Sequence, residues 1–380
     1  MASEKMWKVP FYDLSVSDAA DRDGIFAAIS NVSEHGQFIL GPEVAELENV
    51  LAERCGRGYA VGVNSGTTAL MLSLRALSIG TGDEVITTAL SWIATPNAIL
   101  LAEATPVFAD VGDDVNIAPE SAEQLISSKT KAILPVHYGG KICDMEALRV
   151  LADAHNVPII EDAAQAFGAV RAGRPAGSFG DISIFSMNAT KVFGAWGEAG
   201  MILTDDEGIA NRIRRLRNHG LGSENICVDL GVNGRLETVQ AAVLLAKLDG
   251  VNEAIDRRRQ IASAYATAIG DAAGVPSEAP DAQDSWYSYN VRCTDRDRVL
   301  GQLIDSGVEA KIRDPFPLGD HPVMINASRS GTLTNARKLT GELIAMPIHE
   351  KLSDVQVELA GRTLREAIVS PCLQRLDPML

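Results

Sequence analysis

Val157-Pro-Ile-Ile160 has no polar side chain on either face, and Glu161-Asp162-Ala-Ala-Gln165 follows it directly. A half-solvated strand alternates apolar with polar residues, whereas a strand apolar at every position is covered on both sides. Ala132-Ile-Leu-Pro-Val136 reads in the same way. Working outward, short runs at Tyr59–Val63, Glu84–Thr88, Val107–Val111, Ala132–His137, Val157–Glu161, Ile182–Phe185 and Met201–Thr204 alternate with helical stretches, among them one from Thr67 and one over Thr95–Ala104. This order predicts an α/β domain around a mostly parallel sheet with helices on both faces. Ligands of such sheets gather at the carboxyl ends of the strands, so the residues just after each run are the candidates for chemistry.

Three of those places stand out. Asn64-Ser-Gly66-Thr67-Thr68 joins a strand to a helix start, where a glycine, small hydroxyls and free N–H groups can hold an anion; the same residues also serve as an ordinary N-cap. Asp162 and Gln165 follow a strand buried on both faces. A carboxylate there needs a partner, and a protonated ring nitrogen, a helix N-cap or an ion pair would each supply one. Gln165, one helical turn further on, could face an oxygen on such a ring. Ile182-Ser-Ile-Phe-Ser186-Met-Asn-Ala-Thr-Lys191, followed by Gly194-Ala-Trp-Gly197-Glu-Ala-Gly200, places a hydroxyl and an amine at a strand end. Lys191 suits a Schiff base to an aldehyde cofactor carrying a phosphate, although taken alone it reads more readily as a loop lysine. Trp92 could stack on the ring or pack in the core.

Composition narrows the classes. The chain has 380 residues, 46% of them hydrophobic and 22% charged, which suits a large domain with a smaller one. No apolar run reaches the roughly 18 residues of a membrane span. The first residues lack the pattern of a signal peptide, so cytoplasm is the expected location. A net charge of −16 disfavours nucleic acid but not a small phosphorylated ligand held by backbone N–H groups. Five scattered cysteines, at 55, 143, 227, 293 and 372, indicate neither a disulfide framework nor a metal site and read as reduced thiols, mostly core. Neither GxGxxG nor GxxxxGK[ST] occurs. After about Lys247 the pattern changes to a long polar helix, Val251–Ala268. A strand over Ser288–Cys293 and helices over Asp295–Ser306 and Leu352–Ala367 follow, so the domains are expected at 1–250 and 251–380.

With these residues the chain resembles the DegT/DnrJ/StrS family of pyridoxal-phosphate sugar aminotransferases. Gly36-Gln-Phe-Ile-Leu-Gly41-Pro-Glu-Val, Val63-Asn-Ser-Gly-Thr67, Gly82-Asp-Glu-Val-Ile86, Pro106-Val-Phe-Ala-Asp110-Val, Pro135-Val-His137, Glu161-Asp-Ala-Ala-Gln165 and Gly231-Val-Asn233-Gly-Arg235-Leu carry the likeness over nearly the whole length. The resemblance implies the PLP-dependent transferase fold type I, with a large sheet domain and a smaller carboxyl-terminal α+β domain. It implies pyridoxal 5'-phosphate on Lys191, with Asp162 at the pyridine nitrogen, Gln165 at the phenolic oxygen and Trp92 on the ring. Gly66, Thr67 and Ser186 would hold the phosphate. Asn233 would reach the cofactor of a neighbouring subunit in a homodimer with shared active sites.

The implied reaction is ping-pong transfer of an amino group from an amino acid, L-glutamate, to a keto sugar, nucleotide-linked. Lys191 argues against the sugar-dehydrating branch, which carries histidine there. An acceptor without a nucleotide, a cyclitol, a dehydratase, or a regulatory or sensory binding protein on the same fold are the alternatives. The chain departs from the family at Ala199 and at Arg313-Asp-Pro315, where many members read His-Tyr-Pro. Arg313 is thus a substrate candidate, as a partner for a phosphate, or else a surface arginine.

Overall fold

The computed structural model describes residues 7–370, so Cys372 lies outside the described residues. A central sheet runs through β1 (Tyr59–Val63), β2 (Glu84–Thr88), β3 (Thr105–Ala109), β4 (Thr130–Leu134), β5 (Ile160–Asp162), β6 (Ile182–Ser186) and β7 (Gly200–Thr204). Parallel ladders join β3 to β2, β2 to β4 and β5 to β6, and parallel bridges from Ile133 to Ile159 and from Val136 to Asp162 close the seam between β4 and β5. The spatial order is β3-β2-β4-β5-β6-β7-β1. Within this set β7 runs antiparallel, against β6 and β1, so the expectation of a mostly parallel α/β sheet holds.

Alternate residues of these strands feed two separate cores. Met201 and Leu203 of β7 and Phe185 of β6 pack on one face with Leu47, Leu51 and Leu244, while Ile202, Ile182 and Ile184 pack on the other with Leu70, Leu74 and Ile213. The two-residue period of a strand sends neighbours to opposite faces, and both faces here are apolar because helices cover both. On the first face lie α2 (Pro42–Cys55) and α7 (Thr238–Lys247); on the second lie α3 (Gly66–Ala76) and α6 (Glu207–Leu216). The sequence reading had not assigned the helices α1 (Ala19–His35) and α2 ahead of the first strand. Also in the covering layer are α4 (Ala94–Leu101) and α5 (Met145–His155).

A third core joins Val9 to residues beyond 260. It is built from α8 (Val251–Ile269), α9 (Arg296–Asp305) and α11 (Asp354–Val369), with β8 (Tyr289–Arg292) paired antiparallel to β9 (Leu343–Met346). Arg258, in the middle of the polar-looking α8, is buried, and its guanidinium donates to the Ile348 carbonyl at 2.8 Å and to Glu350 at 2.9 Å. It fastens the helix to the segment after β9.

Two long-range ties connect segments far apart in sequence. The amino-terminal segment pairs with 307–309 through the Lys8 N–H to the Gly307 carbonyl (3.0 Å) and the Glu309 N–H to the Val9 carbonyl (2.9 Å). Residues 318–339 return to the large sheet, where Leu318, Met324 and Leu333 pack with Leu90 and Phe108. There Asp110, just past β3, accepts the N–H groups of Asn335 and Ala336 at the start of α10 (Thr334–Glu342). Cys55, Cys143 and Cys293 are buried and Cys227 is exposed.

Candidate active site

The carboxyl ends of β1, β2, β5 and β6 converge on a cavity of about 350 Å³. Gly66, Thr67, Trp92, Asp162, Gln165, Ser186, Lys191 and Arg313 all line it. Hollows of about 550 and 1100 Å³ lie elsewhere, the first against Arg171 and Asp284 and the second between α8 and α11; neither holds any of these residues.

At the β1–α3 turn, the Ser65 hydroxyl accepts the Thr68 N–H at 3.1 Å, so the N-cap seen in the sequence is real. It leaves the N–H groups of Gly66 and Thr67, which have no acceptor within the helix, beside the cavity. Gly66 is required by space: a Cβ there would lie 2.7 Å from Ser186 Cβ and 3.1 Å from its hydroxyl oxygen. Glycine thus lets the helix start press against Ser186, the last residue of β6, and forms a concave anion cup with the positive end of α3.

Glu161 and Asp162 are both buried, but only one is fully served by the protein. Glu161 takes hydrogen bonds from Gly177 N–H (2.6 Å), Phe179 N–H (2.8 Å), Gly180 N–H (3.0 Å) and the Ser183 hydroxyl (2.7 Å), with His137 Nε2 2.9 Å away. Burial would raise its carboxyl, yet these partners, His137 foremost, hold it down to about 2. Asp162 receives only the Thr95 hydroxyl and the Ala164 N–H, both at 3.1 Å, and burial lifts its carboxyl above the usual range. It caps no helix and makes no ion pair among the described residues. A buried acid so placed is suited to a cationic ring atom arriving with a ligand.

Gln165 stands in a turn rather than on a helix, because the chain after β5 closes an i to i+3 bond, Ala166 N–H to the Ala163 carbonyl. Its Oε1 accepts the Gly139 N–H at 2.9 Å, leaving the amide NH₂ as the end available to the cavity. Trp92 is 64% exposed at the rim, which rules out core packing. Lys191 follows an Asn188 turn in which Oδ1 accepts the Thr190 N–H (2.9 Å) and hydroxyl (2.7 Å), fixing where the lysine leaves the backbone.

Asn233 is not brought into this cavity. It is exposed in a loop clasped to the end of β1, with Asn64 N–H to the Gly234 carbonyl at 2.9 Å and Arg235 Nε to Asn233 Oδ1 at 3.1 Å. Arg313 is half-buried in the cavity wall rather than solvated.

The sequence reading missed Thr95, Tyr287 and Tyr12. Thr95 was within reach, since it opens the helix after β2; the two tyrosines carry no local signal. Lys191 Nζ and the Arg313 guanidinium carbon lie 4.3 and 4.7 Å from the Tyr287 ring centroid, and an Arg313 nitrogen donates to the Tyr287 hydroxyl at 3.1 Å. Burial would raise this phenol, but Lys191 and Arg313, helped by a hydrogen bond with Thr190, outweigh it and bring it down to about 7. Tyr12 lines the same cavity as Tyr287 and Arg313, and burial together with Tyr287 pushes it up to about 12.

An amine, a buried acid and an anion cup around one cavity are the parts of a transaminase. The model of the DegT/DnrJ/EryC1/StrS aminotransferase family matches residues 20–365. The chain belongs to that family. Among curated relatives, the UDP-2-acetamido-2-deoxy-3-oxo-D-glucuronate aminotransferase of Pseudomonas aeruginosa is 34% identical, over 92% of this chain and 98% of its own. The crystal structure of S. venezuelae DesV superposes with a TM-score of 0.92 at 36% identity, covering 96% of this chain and 99% of that one. NtdA from Bacillus subtilis, solved with bound cofactor PMP, gives 0.89 at 27% identity, over 97% of this chain and 87% of that one. The chain is therefore an aminotransferase with the fold of the PLP-dependent sugar enzymes. No helix among the described residues is long and apolar enough to cross a membrane.

Proposed function

We propose that this aminotransferase moves an amino group from L-glutamate to a keto sugar carried on a nucleotide, in two alternating half-reactions. Its cofactor is pyridoxal 5'-phosphate, which when bound supplies the electron sink that makes a carbon–hydrogen bond beside an amine acidic. The residues present fit that group. Asp162 is the observation that carries the reading: a desolvated carboxylate with no cation in ion-pair contact among the described residues, in the same cavity as Lys191, is what a protonated pyridine nitrogen requires.

On this reading Ser186, Gly66 and Thr67 hold the phosphate against the end of α3, and the Gln165 amide holds the phenolic oxygen. Trp92 covers the ring face at the rim and keeps water off it. Lys191 would anchor the cofactor and, once released by the donor, its amine would take the proton from the donor α-carbon and deliver it to the cofactor's aldehyde-derived carbon. The same amine serves the sugar half in the opposite direction. Asn233, exposed and outside its own cavity, serves the cofactor of a second copy, which makes the active form a homodimer, and cytoplasm is the proposed location. The division proposed is a cofactor-holding unit over 1–250 and a smaller unit over 251–380 that contributes Tyr287 and Arg313, with Val9 exchanged into the core of the smaller and 318–339 packed back on the sheet of the larger.

The test is spectroscopic. The purified protein is expected to be yellow, to lose that colour with L-glutamate, and to regain it with a nucleotide-linked keto sugar. Borohydride should fix the label on Lys191. A colourless Lys191→Ala protein that still aminates a keto sugar would overturn the mechanism, and return of colour only with sugars lacking a nucleotide would overturn the acceptor.

A further inference from the structure

Arg313 is a half-buried guanidinium whose protein partners are all phenols. It donates to the Tyr287 hydroxyl at 3.1 Å, shares both cavity linings with Tyr12, and makes no ion pair among the described residues. The carboxylate next to it in sequence, Asp314, is engaged instead by the Tyr138 hydroxyl. A partly desolvated arginine fork with no carboxylate bound to it keeps N–H donors free for an anion.

Its place says which anion. Arg313 lines both the main cavity and an adjoining one of about 210 Å³, so it stands where the two meet. It also shares the Tyr287 ring with Lys191. An anion held there shares the cavity with the Lys191 amine. Lys191 and Arg313 are the cations lining the main cavity among the described residues, and Lys191 is committed to the chemistry. The phosphate of the cofactor is met elsewhere, at Ser186 and the start of α3.

We infer that Arg313, with Tyr12 and Tyr287 as hydroxyl partners, is a carboxylate-receiving subsite beside the reacting carbon. This rests on the transaminase reading of the site. A planar carboxylate matches the fork of a guanidinium held against a flat aromatic ring, and a sugar aminotransferase meets such a group in two places: the α-carboxylate of the amino-acid donor and a ring carboxylate of a uronate acceptor.

Single-turnover half-reactions of the holoenzyme separate the sources. In the donor arm, L-glutamate is compared with its α-carboxamide and its γ-carboxamide. In the acceptor arm, a UDP-linked 3-keto hexosamine is compared with its 6-carboxylate. Arg313→Gln is expected to lower kcat/KM by about 10- to 100-fold for the carboxylate-bearing partner in one arm, the worth of a charge-assisted hydrogen bond, while sparing its uncharged counterpart. Loss confined to the first arm names the donor, and loss confined to the second names a uronate. Arg313→Lys should keep part of the preference, and Tyr12→Phe should cut it by a few fold. Equal loss for charged and uncharged partners, or a loss that follows the nucleotide diphosphate, would overturn the subsite. Calorimetric binding of glutarate and glucuronate needs no turnover: one of them should bind wild type and not Arg313→Gln. If neither amine exchange nor return of colour occurs while that binding pattern holds, the transaminase reading has failed and the subsite has not; if exchange occurs and Arg313→Gln changes no preference, the reverse is true.

Discussion

Glu161 and Asp162 are adjacent at the end of β5, both buried, and serve opposite ends: one is surrounded by donors of its own chain, the other is left facing the cavity. Glu161→Gln should therefore destabilise the fold, by about 3 kcal/mol at neutral pH if the shift from the ordinary carboxyl value to about 2 is lost. Because the folded value is depressed, this contribution is present above about pH 4.5 and disappears as pH falls toward 2. Urea unfolding across that range should show a flatter acid limb in the variant.

Asp162→Asn should behave in the opposite sense. Removing a buried carboxylate that makes no ion-pair contact leaves stability of the cofactor-free protein unchanged or higher, while turnover falls by about 100-fold or more. Melting temperature read beside half-reaction rates decides it; a large loss of stability would make Asp162 structural.

Gly66→Ala should weaken cofactor binding by about tenfold or more, since the new methyl meets Ser186 Cβ at 2.7 Å. Ser186→Gly removes the obstacle along with a hydroxyl, so the two changes should be non-additive in a double-mutant cycle of cofactor affinity.

The cofactor-free protein should contain one tyrosine that titrates near pH 7. Its folded value lies below the ordinary 10, so the stabilisation by the Tyr287 phenolate is fully present above about pH 10 and lost as pH falls through about 7. Ultraviolet difference absorbance should show the step, Tyr287→Phe should delete it, and Arg313→Gln should move it upward.

What the sequence revealed was what neighbouring residues decide together. Both-faces-apolar strands announced the sheet, and strand ends pointed to Ser65-Gly66-Thr67, Asp162 and Ser186, because topology places strand ends at one rim. Strand and helix limits agreed to within a few residues, as with Val251–Ile269. Gln165 was given a helix because polar residues after a strand fit a helix start equally well. The Tyr12–Tyr287–Arg313 group was invisible, since it is assembled by contacts spanning some three hundred residues and no period or motif records them. The burial of Arg258 within the polar helix carried no local signal either, because its guanidinium is met by the Trp286 and Ile348 carbonyls and by Glu350, all far off in sequence.

The pairing of the amino-terminal segment with 307–309 has a consequence for how the molecule is made. Tyr12 stands some three hundred residues ahead of Arg313, yet the two line one wall of the cavity. The sheet and its anion cup are built within residues 59–204, but the cavity wall is complete only when 7–12 meets 287–313, so the active site waits on contacts of high sequence separation and closes late in folding.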